Sequence, residues 1–283
     1  MHFASSREEE LDSPRSTALY VVGITLLTDG SATQLDIIGG SSELADDVRM
    51  RLTELQRIWL ADDPDNDLGR LALSSGDPIA VSPETLLLLA LAGFAPDQES
   101  AVSPRLDYAA MTVSLAVPLS ARALTSLRSQ ALALTADLAV ADLIDGGAWG
   151  ACLRLGGVTR AFGIAEDGGP WTVPMPTPGG RTRPFQLTNA GLAASSAQAS
   201  RASTHEAGRP DLIVWAAVEA ELAWHAQTLA DDVVGHPQSY AMSRLRETSG
   251  SALFYRSDDQ VAEVVVGPLH GRSRGHQART HVV

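Results

Sequence analysis

The chain has 283 residues, 45% of them apolar, and a formal charge of −13 at pH 7. That length buries a sizeable core in one large domain or two small ones, and the acidic balance, with no basic stripe to interrupt it, repels phosphate backbones and anionic headgroups. Nucleic acid and membrane surfaces are therefore excluded as partners. All 21 cationic side chains are arginine. Without a lysine, Schiff-base catalysis and a phosphate loop ending in Lys-Ser/Thr are closed, because guanidinium stays protonated.

In chain order, residues 1–16 contain Glu8, Glu9, Glu10 and Pro14 and are expected to form a flexible acidic arm with no signal-peptide core. Leu44, Val48, Leu52, Leu55 and Trp59 recur at helical spacing after Ser41 and Ser42, which predicts an amphipathic helix with its stripe inward. Ser82-Pro83-Glu84 supplies an N-cap, a first-turn proline and a dipole-matched acid for the next helix. The apolar run from Leu86 to Phe94 is too short to span a bilayer. A further helix runs to Ile144 and stops at Asp145-Gly146-Gly147. Extended runs follow at 151–155, 171–175, 212–216, 252–256 and 262–266, the last two flanking a hairpin signal at Ser257-Asp258-Asp259-Gln260.

Strand segments outnumber crossover helices, so the expected class is α+β, a single domain over 17–267 with mixed sheets flanked by helices. The punctuated stretch 163–180 links strands within it, and 268–283 is expected to be a flexible tail. Lone Cys152, in an apolar strand, reads as a small buried hydrophobe and suits a reducing, cytoplasmic setting. The tail histidines His270, His276 and His281 have irregular spacing and no interleaved carboxylate or thiol, so they do not read as a metal tract. Thr204-His205-Glu206 opens like a zinc-protease helix, but Gly208-Arg209-Pro210 breaks it. There is no Gly-x-Ser-x-Gly elbow and no Cys-x-x-Cys pair. Gly156-Gly157 closes a strand, either as a tight turn or where a ligand approaches the backbone.

The order of several short motifs resembles one family. Pro64-Asp65-Asn66-Asp67-Leu68-Gly69-Arg70-Leu71 is similar to the Pro-Asp-Ser-Glu-Leu-x-x-Leu segment of the FAD:protein FMN transferases, the ApbE-like flavin transferases. Leu127 to Asp137 resembles that family's Leu-Gly-x-x-Ala-Lys-Gly/Ala-x-x-x-Asp helix, and Leu153 to Val158 its Gly-Gly-Asp strand end. Gly168 to Val173 resembles its Gly-Trp-x-Val, Leu192 to Ser196 its Ala-Thr-Ser-Gly/Ser, and Glu221 to Thr228 the helix carrying Asp-Ala-x-Ala-Thr. The likeness runs collinearly over roughly residues 17–266.

This resemblance implies FAD in a cleft, Mg²⁺ on its pyrophosphate, and transfer of FMN to a threonine of a partner flavoprotein with release of AMP. It implies flavin contacts at Gly156, Gly157, Ser195, Ser196 and Gly208, the last in a shortened loop, Ser203 to Pro210, and a metal position at Thr228. It assigns no catalytic residue, because the family's charged positions are changed. The lysine aligns with Leu132, the aspartate before it with Ser126, the Gly-Gly-Asp acid with Val158 and the metal aspartate with Trp224. Diphosphate transfer depends on charge neutralisation, so an impaired homologue is expected. Arg128 and Arg154 are candidates to replace the lysine's charge. Three readings stay open: a transferase with displaced metal ligands among Asp137, Asp142, Asp231 and Asp232; a silent flavin-binding or flavoprotein-docking module; and a retained fold alone, with Leu222, Trp224 and His225 as packing.

Overall fold

The computed structural model describes residues 19–25, 32–60, 63–74, 76–93, 104–197, 211–248, 250–256 and 261–265. The predicted arm, tail and 257–260 turn, together with His205 and Gly208, lie outside the described residues. An antiparallel sheet of eight strands forms the centre. Its strands are β1 (Leu19–Thr25), β2 (Ala32–Gly39), β6 (Ala148–Leu155), β7 (Val158–Gly163), β10 (Ala190–Ser196), β11 (Ile213–Ala220), β12 (Ser251–Arg256) and β13 (Val261–Val265), in that spatial order. Two smaller sheets flank it: β3 (Ile79–Ala80), β5 (Thr112–Ser114) and β4 (Arg105–Asp107) form one, and a ribbon of β8 (Trp171–Pro176) with β9 (Thr182–Leu187) the other.

Among the described residues the helices are α1 (Ser42–Leu55), α2 (Asp67–Leu73), α3 (Pro83–Leu91), α4 (Ala121–Asp145), α5 (Ala223–Val233) and α6 (Gln238–Thr248). The architecture is α+β. Ser41 caps α1 by accepting from the Leu44 N–H, and the predicted stripe buries Val48, Leu52 and Leu55. It continues to fully buried Trp59 through a π-helical turn, Gln56–Leu60. Ser82 caps α3, with Pro83 in its first turn. Helix α4 stops at Gly146, and Gly147 follows at φ +84°, a conformation that glycine adopts without a Cβ penalty.

Alternation along the strands sorts side chains onto two faces. Ala151 and Leu153 point into a core with α1, α4 and α5, whereas Cys152 between them faces the ribbon, among Trp171, Val173 and Met175. Cys152 is fully buried, and burial pushes its thiol up to about 11, so it behaves as a small hydrophobe. Helix α4 is buried around much of its circumference, with Leu127 and Leu134 in one cluster and Ala133, Val140 and Leu143 in another. That explains why no single stripe marks it.

The Pro64–Asp67 segment ties three elements together. The Asn66 side chain caps α2 by accepting from the Gly69 N–H at 2.7 Å. Asp67 Oδ2 accepts from the Ser82 N–H and from Thr85 Oγ1, both at 2.7 Å, and Thr85 Oγ1 accepts from Trp59 Nε1 at 2.8 Å. Burial raises the Asp67 carboxyl, but hydrogen bonds from Thr85, Ser82 and Arg70 outweigh it and hold the group below the usual carboxylate range. Thr85→Val keeps the shape but leaves a buried indole N–H and a carboxylate oxygen short of a partner. Each lost partner costs about 1–3 kcal/mol. A denaturant midpoint unchanged in this variant would refute the role assigned to Thr85.

Candidate functional site

One face of α4, the β6–β7 turn, the end of β10 and one face of α5 enclose a cavity of about 780 Å³, within the usual range for small-molecule sites. Helical spacing aligns Arg122, Thr125, Ser126, Ser129 and Leu132 on the α4 wall. Gly157 and Val158 enter from the turn, Ser195 and Ser196 from β10, and Trp215 from β11. Gln227 and Asp231, one turn apart on α5, complete it, and Gln227 Nε2 donates to Asp231 Oδ1 at 3.0 Å.

Ser126, Leu132 and Val158, aligned from sequence with the lysine and two acids of the flavin transferases, share this cavity with Gly157, Ser195 and Ser196. Gly156 takes the other place in the two-residue turn, at φ +58°, and does not line the wall. Thr228 is half-buried outside the lining, and its Oγ1 is buried without a hydrogen-bond partner. One turn earlier, Trp224 packs against two core clusters beside Leu132, its indole N–H also unpartnered. Where the likeness implies a metal carboxylate, the helix therefore presents an indole.

Among the described residues the lining carries two ionisable side chains, Arg122 and Asp231. Arg122 is exposed in the first turn of α4. Asp231 is half-buried. Burial pushes its carboxyl above the usual carboxylate range against hydrogen bonding from Ser195 and Gln227, and its Oδ2 has no partner. The other acids weighed as displaced ligands are engaged elsewhere. Asp137 accepts from the backbone N–H groups of Ala223 and Trp224 at 2.9 and 2.8 Å and pairs with Arg160 at 3.1 Å. Asp232 is held by Arg244 and Tyr240, and Asp142 sits half-exposed 3.8 Å from Arg51. Of the arginines suggested for the lysine's charge, Arg154 pairs with Asp36 at 3.0 Å, and neither it nor Arg128 lines the cavity.

Mg²⁺ demands near-octahedral oxygen coordination. Among the described residues no group of three or more His, Cys, Asp or Glu is placed to hold a metal, and the Trp224–Thr228 face offers one hydroxyl. The residues present do not fit the ion.

No protein-family model matches the chain, and no curated protein matches its sequence. Solved structures do. The chain superposes on the flavin transferase ApbE from Vibrio cholerae with a TM-score of 0.66 at 17% identity, covering 88% of this chain and 97% of that one. The apo flavinyl transferase ApbE from Pseudomonas stutzeri gives 0.63 at 18% identity, with 83% and 91% covered. The chain has the ApbE flavin transferase fold. The ApbE protein of Thermotoga maritima superposes with a TM-score of 0.63 at 15% identity over 87% of this chain and 97% of that one. At such identities an ApbE fold is what the superposition establishes, and the cavity's chemistry must come from the residues lining it. Among the described residues no helix is long and apolar enough to cross a membrane.

Proposed function

We propose that the chain is a flavin transferase homologue that binds a flavin in the cavity between α4, β10 and α5 without transferring FMN. One observation carries this reading: the wall positions aligned with the lysine and acids of the flavin transferases are Leu132, Ser126 and Val158, and they converge on one ligand-sized space. FMN transfer breaks the P–O–P bond of FAD, joins the FMN phosphorus to a threonine oxygen and releases AMP. Lowering that barrier requires cations on the diphosphate and a group that takes the hydroxyl proton. Each lost charge-stabilising group removes about 10²–10³ in rate, and among the described residues the lining retains one exposed guanidinium.

Binding does not need those groups. Leu132, Val158 and Trp215 supply apolar surface, and the serines of α4 and β10 supply hydroxyls. A second reading, an active enzyme with displaced ligands, rests on Asp231, which of the four candidate acids is the one in the lining. Incubating the full chain with FAD, Mg²⁺ and a threonine-bearing flavoprotein acceptor separates the two. The expected result is a saturable change in flavin fluorescence with no AMP and no covalent flavin on the acceptor. AMP release that saturates with FAD overturns the proposal in favour of the second reading.

A further inference from the structure

Resting on that flavin-binding reading, we infer that the cavity takes a flavin that carries no diphosphate, riboflavin being the simplest, with Asp231 accepting a hydrogen bond from the ligand. The first argument is charge. Among the described residues, the inner end of the cavity holds a carboxylate and no cation, because Arg122 is exposed at the start of α4. An anionic diphosphate beside Asp231 meets like charge in a poorly solvated space, where repulsion is screened little, while a solvated arginine at the surface returns little of that cost.

The second argument is hydrogen-bond inventory. The described residues of the lining contribute five hydroxyls, from Thr125, Ser126, Ser129, Ser195 and Ser196, and the Gln227 amide, which already donates to Asp231. Hydroxyls both donate and accept, so they complement a polyol chain or the edge of a heteroaromatic ring and give no preference for an anion. Asp231 Oδ2 is buried with no partner. A buried acceptor left unpaired is costly, and an O–H or N–H of the ligand would satisfy it once the half-buried side chain turns that oxygen into the cavity. FAD carries the same ring and ribityl donors, so this contact places the flavin and the preference over FAD rests on charge. Trp215, Leu132 and Val158 provide surface for the apolar part of the ring system.

The test is a fluorescence titration of the full chain with riboflavin and with FAD, each in Mg²⁺ and in EDTA, alongside Asp231→Asn. Riboflavin is expected to bind at least about tenfold tighter than FAD, a difference of one decade in Kd, with Mg²⁺ changing neither. In Asp231→Asn, confirmed folded by its circular dichroism, riboflavin binding should weaken and the preference over FAD should shrink; a purely structural role for Asp231 would weaken both ligands alike. The wild-type ratio alone decides the matter if the variant does not fold. FAD binding as tightly as riboflavin, or tightening with Mg²⁺, overturns this inference and leaves flavin binding standing. Failure of both flavins to bind overturns the flavin-binding reading itself and this inference with it.

Discussion

Asp137→Ala is expected to lower the melting temperature by roughly 10 °C, because it strips a buried pair and a helix cap in one step. Helix α5 begins at Ala223 after Leu222, whose side chain makes no cap hydrogen bond. Its orphan N–H groups, which every helix start must satisfy, are instead met across the core by Asp137 on α4, at 2.9 Å for Ala223 and 2.8 Å for Trp224. The same carboxylate pairs with Arg160 on β7 at 3.1 Å, both side chains being about nine-tenths buried. Burial pushes the Asp137 carboxyl up and the Arg160 guanidinium down, so each tolerates the interior only in company of the other. Removing one partner of such a pair costs about 3–5 kcal/mol, and in a domain of this size each kcal/mol shifts Tm by about 2–4 °C. Calorimetry of the purified variant measures it. A shift below about 2 °C would show that the cap and the pair contribute little.

Much of this scaffold is visible in the sequence because local signals and tertiary packing agree. The stripe from Leu44 to Trp59, the Ser82-Pro83-Glu84 cap and the Gly146-Gly147 stop all appear where their residues predict. The runs at 151–155, 171–175 and 252–256 are the strands β6, β8 and β12. Other strands have no comparable signal, β9 and β10 among them. β10 reads Ala-Gly-Leu-Ala-Ala-Ser-Ser, small residues with little strand preference, and is held extended by pairing with β7 on one side and β11 on the other. β9 contains Pro184 opposite Pro174 of β8, a composition that suggests a breaker but suits a two-stranded ribbon, where each strand has a free edge.

The site divides in the same way. Spacing places Ser126 and Leu132 on one helix, and collinear motifs set Val158, Ser195 and Ser196 in order along the chain, yet only the packing of α4 against β7 and α5 brings them to a common cavity. Which of the adjacent acids Asp231 and Asp232 turns inward depends on how α5 is rotated. Gln227 and Asp231 share the inward face, while Asp232 meets Arg244 and Tyr240 of α6. The acid at the end of the α4 motif looks like a candidate ligand in sequence, and its partners on α5 lie 86 and 87 residues further on, beyond the reach of any local pattern.

Gly191→Ala is expected to destabilise the fold by about 1–3 kcal/mol or more and to weaken flavin binding without touching the cavity. In β10, a Cβ added at Gly191 would stand 2.2 Å from the Ala223 nitrogen and 2.4 Å from the Leu222 carbonyl carbon. Those are backbone atoms at the start of α5, which Asp137 grips from the other side. A flexible side chain would step aside, but here the strand or the helix must move, and overpacking of this kind costs about 1–3 kcal/mol and occasionally more. Because α5 carries Gln227 and Asp231, a shift of its first turn transmits to the deep pole of the cavity. Gly157→Ala is the matched control for melting temperature alone, since its Cβ would meet only the Ala194 carbonyl oxygen, at 3.8 Å, but would project from the cavity wall. Equal melting temperatures for the two variants would show that the close approach at Gly191 is not what seats α5, whereas a drop confined to Gly191→Ala, accompanied by weaker flavin binding, is the result the geometry requires.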